Sequence, residues 1–408
     1  MIRRREFLAV PGLAPLAAFQ TAPKTVAAII TEYRHNSHAD VIAGRLLEGY
    51  DFDGRRRQPR VKMVSMYTDQ VPANDMSRAM AAKHAVAIKP TIAEALTLGT
   101  GKLAVDGVVL IGEHGNYPTN EKGQKLYPRY ELFSKIVEVF RSSGRSVPVF
   151  TDKHLSVEWK KAKWMYDQSR ELGFPMMAGS SLPVTWRHPP VELKKGTPVR
   201  HAVAAFYGGK EAYGFHALEA LQCMVERRQG GETGISQVHA IEGPDVWKWT
   251  SENAWAGPLL ESAVARSETR KAGPMREVTK NPAVFVLRYR DGLEAAVYML
   301  NGYLDQCVFA TNLPERKEPL ATEIWLQPGR PFSHFSALTY YIEELVLTGK
   351  PSYPVERTLL TTGALATLMD SSYEHRKMET PHLDVKYQAP EKSLFSRGPV
   401  PPPEKAKA

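Results

Sequence analysis

Cysteine is nearly absent from this sequence: Cys223 and Cys307 are the only two among 408 residues. Two cysteines so far apart make no disulfide framework and read as buried thiols, although an oxidising compartment would let them pair. Beyond the first twenty or so residues there is no apolar run approaching the roughly 20 residues that a spanning helix needs, which excludes a membrane span in the mature chain. Basic clusters are scarce as well. The net charge of +9 is spread along the chain, and the one basic run, Arg55–Arg57, is expected in a surface loop with Gly54 and Pro59, which argues against nucleic-acid binding. No internal repeat is visible. Glycine is missing where it is most expected: IITEYRHNSHAD, residues 29–40, passes from a buried strand to a helix start without one.

The two ends are compositionally distinct. In MIRRREFLAVPGLAPLAAF, Arg4 and Arg5 precede Glu6, Phe7 and Leu8, and a short apolar run with two prolines follows. This arrangement predicts a twin-arginine export signal over residues 1–22, hence a periplasmic or secreted protein with no stable membrane anchor after processing. The closing PVPPPEKAKA is Pro-rich and charged, and a disordered tail is expected over 386–408.

Between the ends, two halves follow different patterns. Over 24–185, apolar runs (VAAIIT, VKMVSMY, VDGVVLIG, SVPVFTD, PMMAGS) alternate with helical patterns. That alternation predicts an α/β domain with a Rossmann-like, doubly wound parallel sheet. Over 186–385, strand-like runs follow one another, with RDG at 290–292 as a hairpin signal, before two helical blocks. The expected product is an α+β domain with an open, mostly antiparallel sheet and helices on one face.

In an open parallel sheet, ligands bind outside the carboxyl ends of the strands, so the residues just after each run face one crevice. These are Thr31 to His38, Tyr67 to Asp69, Glu113 to Tyr117, and Asp152 to His154. Ser37, with Asp40 three residues on, forms a capping-box pattern whose helix dipole favours an anion. Thr31, Tyr33 and Asn36 nevertheless stand where a dinucleotide turn has its glycines, and Glu32 adds a negative charge. An acid at the end of the second strand, Asp69, would hold an adenosine ribose. The polar insertion IGEHGNYPTNEKGQKLYPRYELF offers Glu113, His114, Tyr117, Tyr127 and Arg129 to a sugar-like polyol or a carboxylate.

Four segments in order, VAAIITEYRHNSHADVIAGRL, FTDKHLS, GFHALEAL and the closing FSALTYYIEELVLTGKPSYPVERTLLTTGALATLMDSS, resemble the Gfo/Idh/MocA family, named for glucose-fructose oxidoreductase and inositol dehydrogenase. The resemblance spans nearly the whole mature chain, in a divergent form without the GxGxxG glycines. It implies NAD- or NADP-dependent oxidation or reduction of a sugar or related polyol, and a homo-oligomer assembled through the C-terminal sheet. Lys153 falls on the family lysine that contacts the substrate hydroxyl or the nicotinamide ribose. His216 falls on the histidine that takes the proton as hydride leaves the same carbon. His154 replaces the family's proline. The family's partner aspartate falls on Ala212, leaving Glu211 or Glu219 to orient the ring.

The candidate site is therefore Lys153 and His216 for catalysis; Thr31, Tyr33, Asn36, His38, Asp69 and Glu113 for the cofactor; and His114, Tyr117, Arg129, His154 and Arg187 for the substrate. Two other classes remain. His35, His38, His114, His154 and Glu113 could hold a divalent metal in a lyase or hydrolase, though HNSH is not an established ligand spacing. A catalytically silent binding protein could also keep this fold.

Overall fold

The computed structural model describes residues 22–402. The expected export signal, apart from its last residue, lies outside them. The first sheet has six parallel strands: β1 (Thr25–Glu32), β2 (Lys62–Gln70), β3 (Ala87–Ile88), β4 (Gly107–Ile111), β5 (Val149–Asp152) and β6 (Met176–Gly179). Their spatial order is β3-β2-β1-β4-β5-β6, so β1 pairs on its two sides with β2 and β4. Val26 to Ile30 are fully buried, because alternate residues enter two different cores. Val26, Ala28 and Ile30 meet helices α1 (His38–Glu48) and α5 (His334–Thr348), while Ala27 and Ile29 share a core with α2 (Arg129–Ser143) and α3 (Trp159–Glu171).

The second sheet has eight strands: β7 (Trp186–His188), β8 (His201–Phe206), β9 (Ile235–Glu242), β10 (Lys280–Tyr289), β11 (Glu294–Asn301), β12 (Cys307–Thr311), β13 (Leu320–Trp325) and β14 (Met378–Glu379). It runs β14-β9-β10-β11-β8-β12-β13-β7. Only β8 and β11 pair in parallel; the other pairs are antiparallel. The RDG turn joins β10 to β11, with Gly292 at φ 90° as a left-handed turn residue requires. Helices α4 (Ala212–Val225) and α6 (Val355–Glu374) cover the face toward the first domain.

Two expectations need correction. Helices lie on both faces of the second sheet, because Val246, Leu259, Leu260 and Ala263, from Asp245–Glu252 and Ala256–Val264, pack on Val203, Val284 and Tyr298. The polar, Trp-interrupted sequence of that stretch hides its apolar stripe. The expected disordered tail is, over 386–402, an ordered strap. Trp186 Nε1 donates to the Gly398 carbonyl at 2.7 Å, Gln327 Nε2 donates to the Pro401 carbonyl at 2.9 Å, and Phe395 is 4 % exposed. Prolines lack an N–H but keep a carbonyl acceptor, so a Pro-rich strap can dock through its carbonyls and one buried ring.

Candidate active site between the two domains

The carboxyl ends of β5 and β6 meet α4 at the centre of the molecule. Lys153, just past β5, has a left-handed backbone at φ 68° and donates its N–H to the Gly179 carbonyl at 3.2 Å. A lysine held at positive φ costs about 1 kcal/mol or more and persists only where its surroundings fix it. Gly179 permits the approach: a Cβ there would lie 2.5 Å from Glu219 Oε2 and 2.6 Å from Thr358 Oγ1. The result is that Lys153 Nζ lies 2.5 Å from His216 Nε2, and His216 Nδ1 lies 2.6 Å from Ser180 Oγ. An ammonium can only donate, so His216 Nε2 is the acceptor and Nδ1 carries the proton, which it donates to Ser180. Burial, reinforced by the Lys153 charge, holds the His216 imidazole well below its ordinary pKa, so the ring is a neutral base at neutral pH.

The carboxylates expected to orient His216 do other work. Glu219 is fully buried and accepts from Thr361 Oγ1 at 2.7 Å and from the Ser180 N–H at 3.4 Å. Glu211 lies 2.9 Å from His154 Nε2. Ser180 takes the missing aspartate's place, a role that the strand-end GSS could have suggested because it closes on the same crevice.

A buried ionic cluster backs Lys153. Glu113 Oε2 accepts from Arg129 Nη2 at 2.5 Å, and its Oε1 lies 3.7 Å from Lys153 Nζ. Burial opposes the charged carboxylate, but Lys153 and Arg129 outweigh it and hold Glu113 well below the usual range. Arg129 Nη1 donates to His154 Nε2 at 3.0 Å, and burial with the Arg129 charge keeps His154 below its ordinary pKa.

Across the cavity, His38 opens α1 and its Nδ1 meets Asp152 Oδ2 at 2.7 Å. The His114 ring lies 5.5 Å from that of His38. His114 has φ 71°, contacts Arg34 Nη2 through Nδ1 at 3.2 Å, and is pushed down to about 4, by burial first and then by His38. The cavity between these walls has a volume of about 540 Å³, within the range of small-molecule sites. Lys153, His38 and His114 of the first domain line it together with His216, Tyr207, Tyr213 and Asp305 of the second. A cavity of about 480 Å³ beside Pro198 and Pro314 is nearly as large. Its buried cation, Arg228, is already paired with Glu232 at 2.8 Å and Asp291 at 2.7 Å, so the chemistry selects the first.

Of the residues expected from sequence, Lys153, His216, Asn36, His38, Glu113 and His114 line the cavity. The others are corrections. Arg129 and His154 are 1 % and 2 % exposed and support Glu113 from behind. Arg187 is buried elsewhere, over the Phe395 ring at 4.4 Å. Tyr117 reaches Asp69 instead, at 2.6 Å. Thr31 is buried, donating to the Glu113 carbonyl at 2.8 Å. Residues not anticipated include Asp152 as the partner of His38, and Tyr207, Tyr213, Asp305 and His334, of which Tyr213 stands one turn before His216. Among the described residues, no group of three His, Cys, Asp or Glu side chains is placed to hold a metal ion.

No protein-family model matches the chain, and no curated protein matches it in sequence. Solved structures do. GenD2 from gentamicin A biosynthesis, in complex with NAD, is 14 % identical, with 90 % of this chain and 99 % of that chain covered and a TM-score of 0.57. A probable dehydrogenase from Thermotoga maritima is 12 % identical over 88 % and 99 %, at 0.55. The myo-inositol 2-dehydrogenase from Lactobacillus plantarum is 10 % identical over 88 % and 99 %, at 0.51. The chain has the two-domain fold of the Gfo/Idh/MocA oxidoreductases.

That Gfo/Idh/MocA fold raises the question of a nicotinamide dinucleotide, and the β1–α1 turn can be tested for one. Three of its backbone donors are already engaged: Asn36 N–H with Asp40 Oδ2 at 2.9 Å, and the N–H groups of Arg34 and Asp40 with Ser37 Oγ, both at 3.2 Å. The Tyr33 side chain, 0 % exposed, fills the space behind the turn. At the end of β2, Asp69 accepts from Tyr67 at 2.9 Å and from Tyr117 at 2.6 Å. These residues do not fit a dinucleotide in the pose that phosphate-binding turns of this topology provide.

Proposed function

We propose that the cavity is the active site of an enzyme acting on a sugar or related polyol, with Lys153 and His216 moving the proton of a substrate hydroxyl. One observation carries the reading: a lysine and a neutral histidine 2.5 Å apart on the wall of a 540 Å³ cavity. A hydroxyl entering there receives a hydrogen bond from the Lys153 ammonium, which stabilises the developing alkoxide. As the hydroxyl takes over the ammonium N–H that rests on His216 Nε2, the freed Nε2 lone pair accepts its O–H proton, while Nδ1–H stays on Ser180. His38, held by Asp152, supplies a second imidazole across the cavity, and Tyr207, Tyr213 and Asp305 offer hydroxyl-specific contacts.

A second reading is nicotinamide-dependent oxidation at the same carbon, favoured by the NAD bound to GenD2. Both use the same proton pair. The test is a thermal-shift screen of inositols, aldoses, aldonates and uronates against the wild type and Lys153→Met. A polyhydroxylated compound that raises the melting temperature of the wild type alone supports the reading. If such compounds bind both proteins alike, it fails.

Export by the twin-arginine route and assembly through the second sheet belong to the same proposal. Export is checked by replacing Arg4 and Arg5 with Lys and following the protein to the periplasm. Assembly is checked by light scattering, where a monomer would contradict it.

A further inference from the structure

We infer that this chain works without a dinucleotide, because its own side chains occupy the groove in which the fold elsewhere holds one. The inference rests on reading the Lys153 cavity as the active site. Three features, at three separate points of the groove, lead to it.

The first is charge. A helix N-terminus attracts a pyrophosphate because its N–H groups are unpaired and its dipole is positive. Here the Asp40 carboxylate takes that position. It accepts from Asn36 N–H and from Arg330 Nη1 at 2.8 Å, and it is 8 % exposed as a side chain. A diphosphate would meet the Asp40 carboxylate, already paired with Arg330, where it needs free donors, and Glu32, buried and paired with Arg34 at 2.7 Å, stands nearby. The second is bulk. Tyr33, fully buried in the core, backs the turn with its hydroxyl 3.4 Å from where a Cβ on Gly44 would lie, so the ring fixes the turn from behind against α1. The third is at the adenosine end. Gln70 at the end of β2 and Asn116 of the insertion exchange two hydrogen bonds, at 2.8 and 3.1 Å. With Tyr117 on Asp69, they tie the insertion over the strand end where a ribose would lie.

The cavity agrees with this. It reaches the first helix at Asn36, His38 and Val41, and Asp69 is not among its walls. What remains is a single-substrate pocket in which His38, held from behind by Asp152, lines the wall at the start of α1. The class of reaction that fits is proton transfer within one substrate, with no net oxidation.

The test uses the full-length protein purified after cytoplasmic folding. NAD+, NADH, NADP+ and NADPH are titrated to about 1 mM, with melting temperature and nicotinamide fluorescence as readouts, and acid-released nucleotides are chromatographed. The expected result is no saturable change and no released nicotinamide. Saturable binding of any of the four, or stoichiometric release, overturns the inference while leaving the Lys153–His216 assignment intact. Equal polyol binding by wild type and Lys153→Met overturns that assignment while leaving this one intact.

Discussion

Replacing Glu113 by Gln should destabilise the protein far more than an ordinary polar substitution. Glu113 lies between two cations, with Arg129 Nη2 at 2.5 Å and Lys153 Nζ at 3.7 Å. Arg129 is 1 % and Lys153 5 % exposed. The two contacts carry roughly 7 and 4 kcal/mol of Coulomb attraction at an effective dielectric of about 20, set against the desolvation of all three groups. Removing only the carboxylate charge keeps that desolvation and leaves two like charges facing each other. Breaking a buried pair in this way costs about 3–5 kcal/mol, a large share of the 5–15 kcal/mol that typically holds a domain together. In urea unfolding followed by tryptophan fluorescence, the midpoint should fall by about 1 M or more. The double substitution Glu113→Gln, Arg129→Met removes the orphaned guanidinium and should recover part of the loss, which a double-mutant cycle measures. A cost below about 1 kcal/mol for Glu113→Gln, or no recovery in the double variant, would refute the reasoning.

Other expectations follow from the same geometry. Ser180→Ala removes the acceptor of His216 Nδ1–H; with a compound found in the polyol screen, turnover should drop by about 10- to 100-fold with little change in KM, and an unchanged pH profile would contradict a positioning role. His114 sits at about 4 and His334 at about 3 in the folded protein, His334 because of burial and then Arg45 and His38. The unfolded chain therefore binds protons first, and stability present above about pH 6.5 is lost as pH falls toward 4, by up to about 1.4 kcal/mol per pH unit for each histidine. Melting temperatures that stay flat between pH 7 and 5 would exclude this. Phe395→Ala, which empties the site between Arg187 and Arg397, should cost about 3 kcal/mol. No change in its denaturation midpoint would mean that the strap is not docked in solution.

The sequence carries much of this architecture openly. The β1 and β4 runs are apolar throughout because both faces of the parallel sheet are covered, and RDG marks a hairpin because Gly292 tolerates its left-handed turn. FTDKHLS and GFHALEAL drew attention to Lys153 and His216, which line one cavity. The link between them was less visible. Ser180 is 36 residues from His216 and Asp152 is 114 from His38, so their hydrogen bonds depend on strand order rather than local pattern. Arg129, Tyr117 and Arg187 look alike as polar residues near strand ends, and only burial separates a supporting ion pair from a cavity wall. The tail misled because Pro-rich composition records the lack of donors but not the presence of a docking surface.

The protonation state of His216 tests the central claim most directly, without any substrate. Nitrogen-15 NMR of the imidazole rings, assigned with His216→Asn, should show a neutral ring with the proton on Nδ1 and no proton on Nε2, persisting well below the pH at which a free imidazole protonates. A His216 that titrates near its ordinary value, or that carries its proton on Nε2, would contradict the Lys153–His216–Ser180 arrangement and the chemistry built on it.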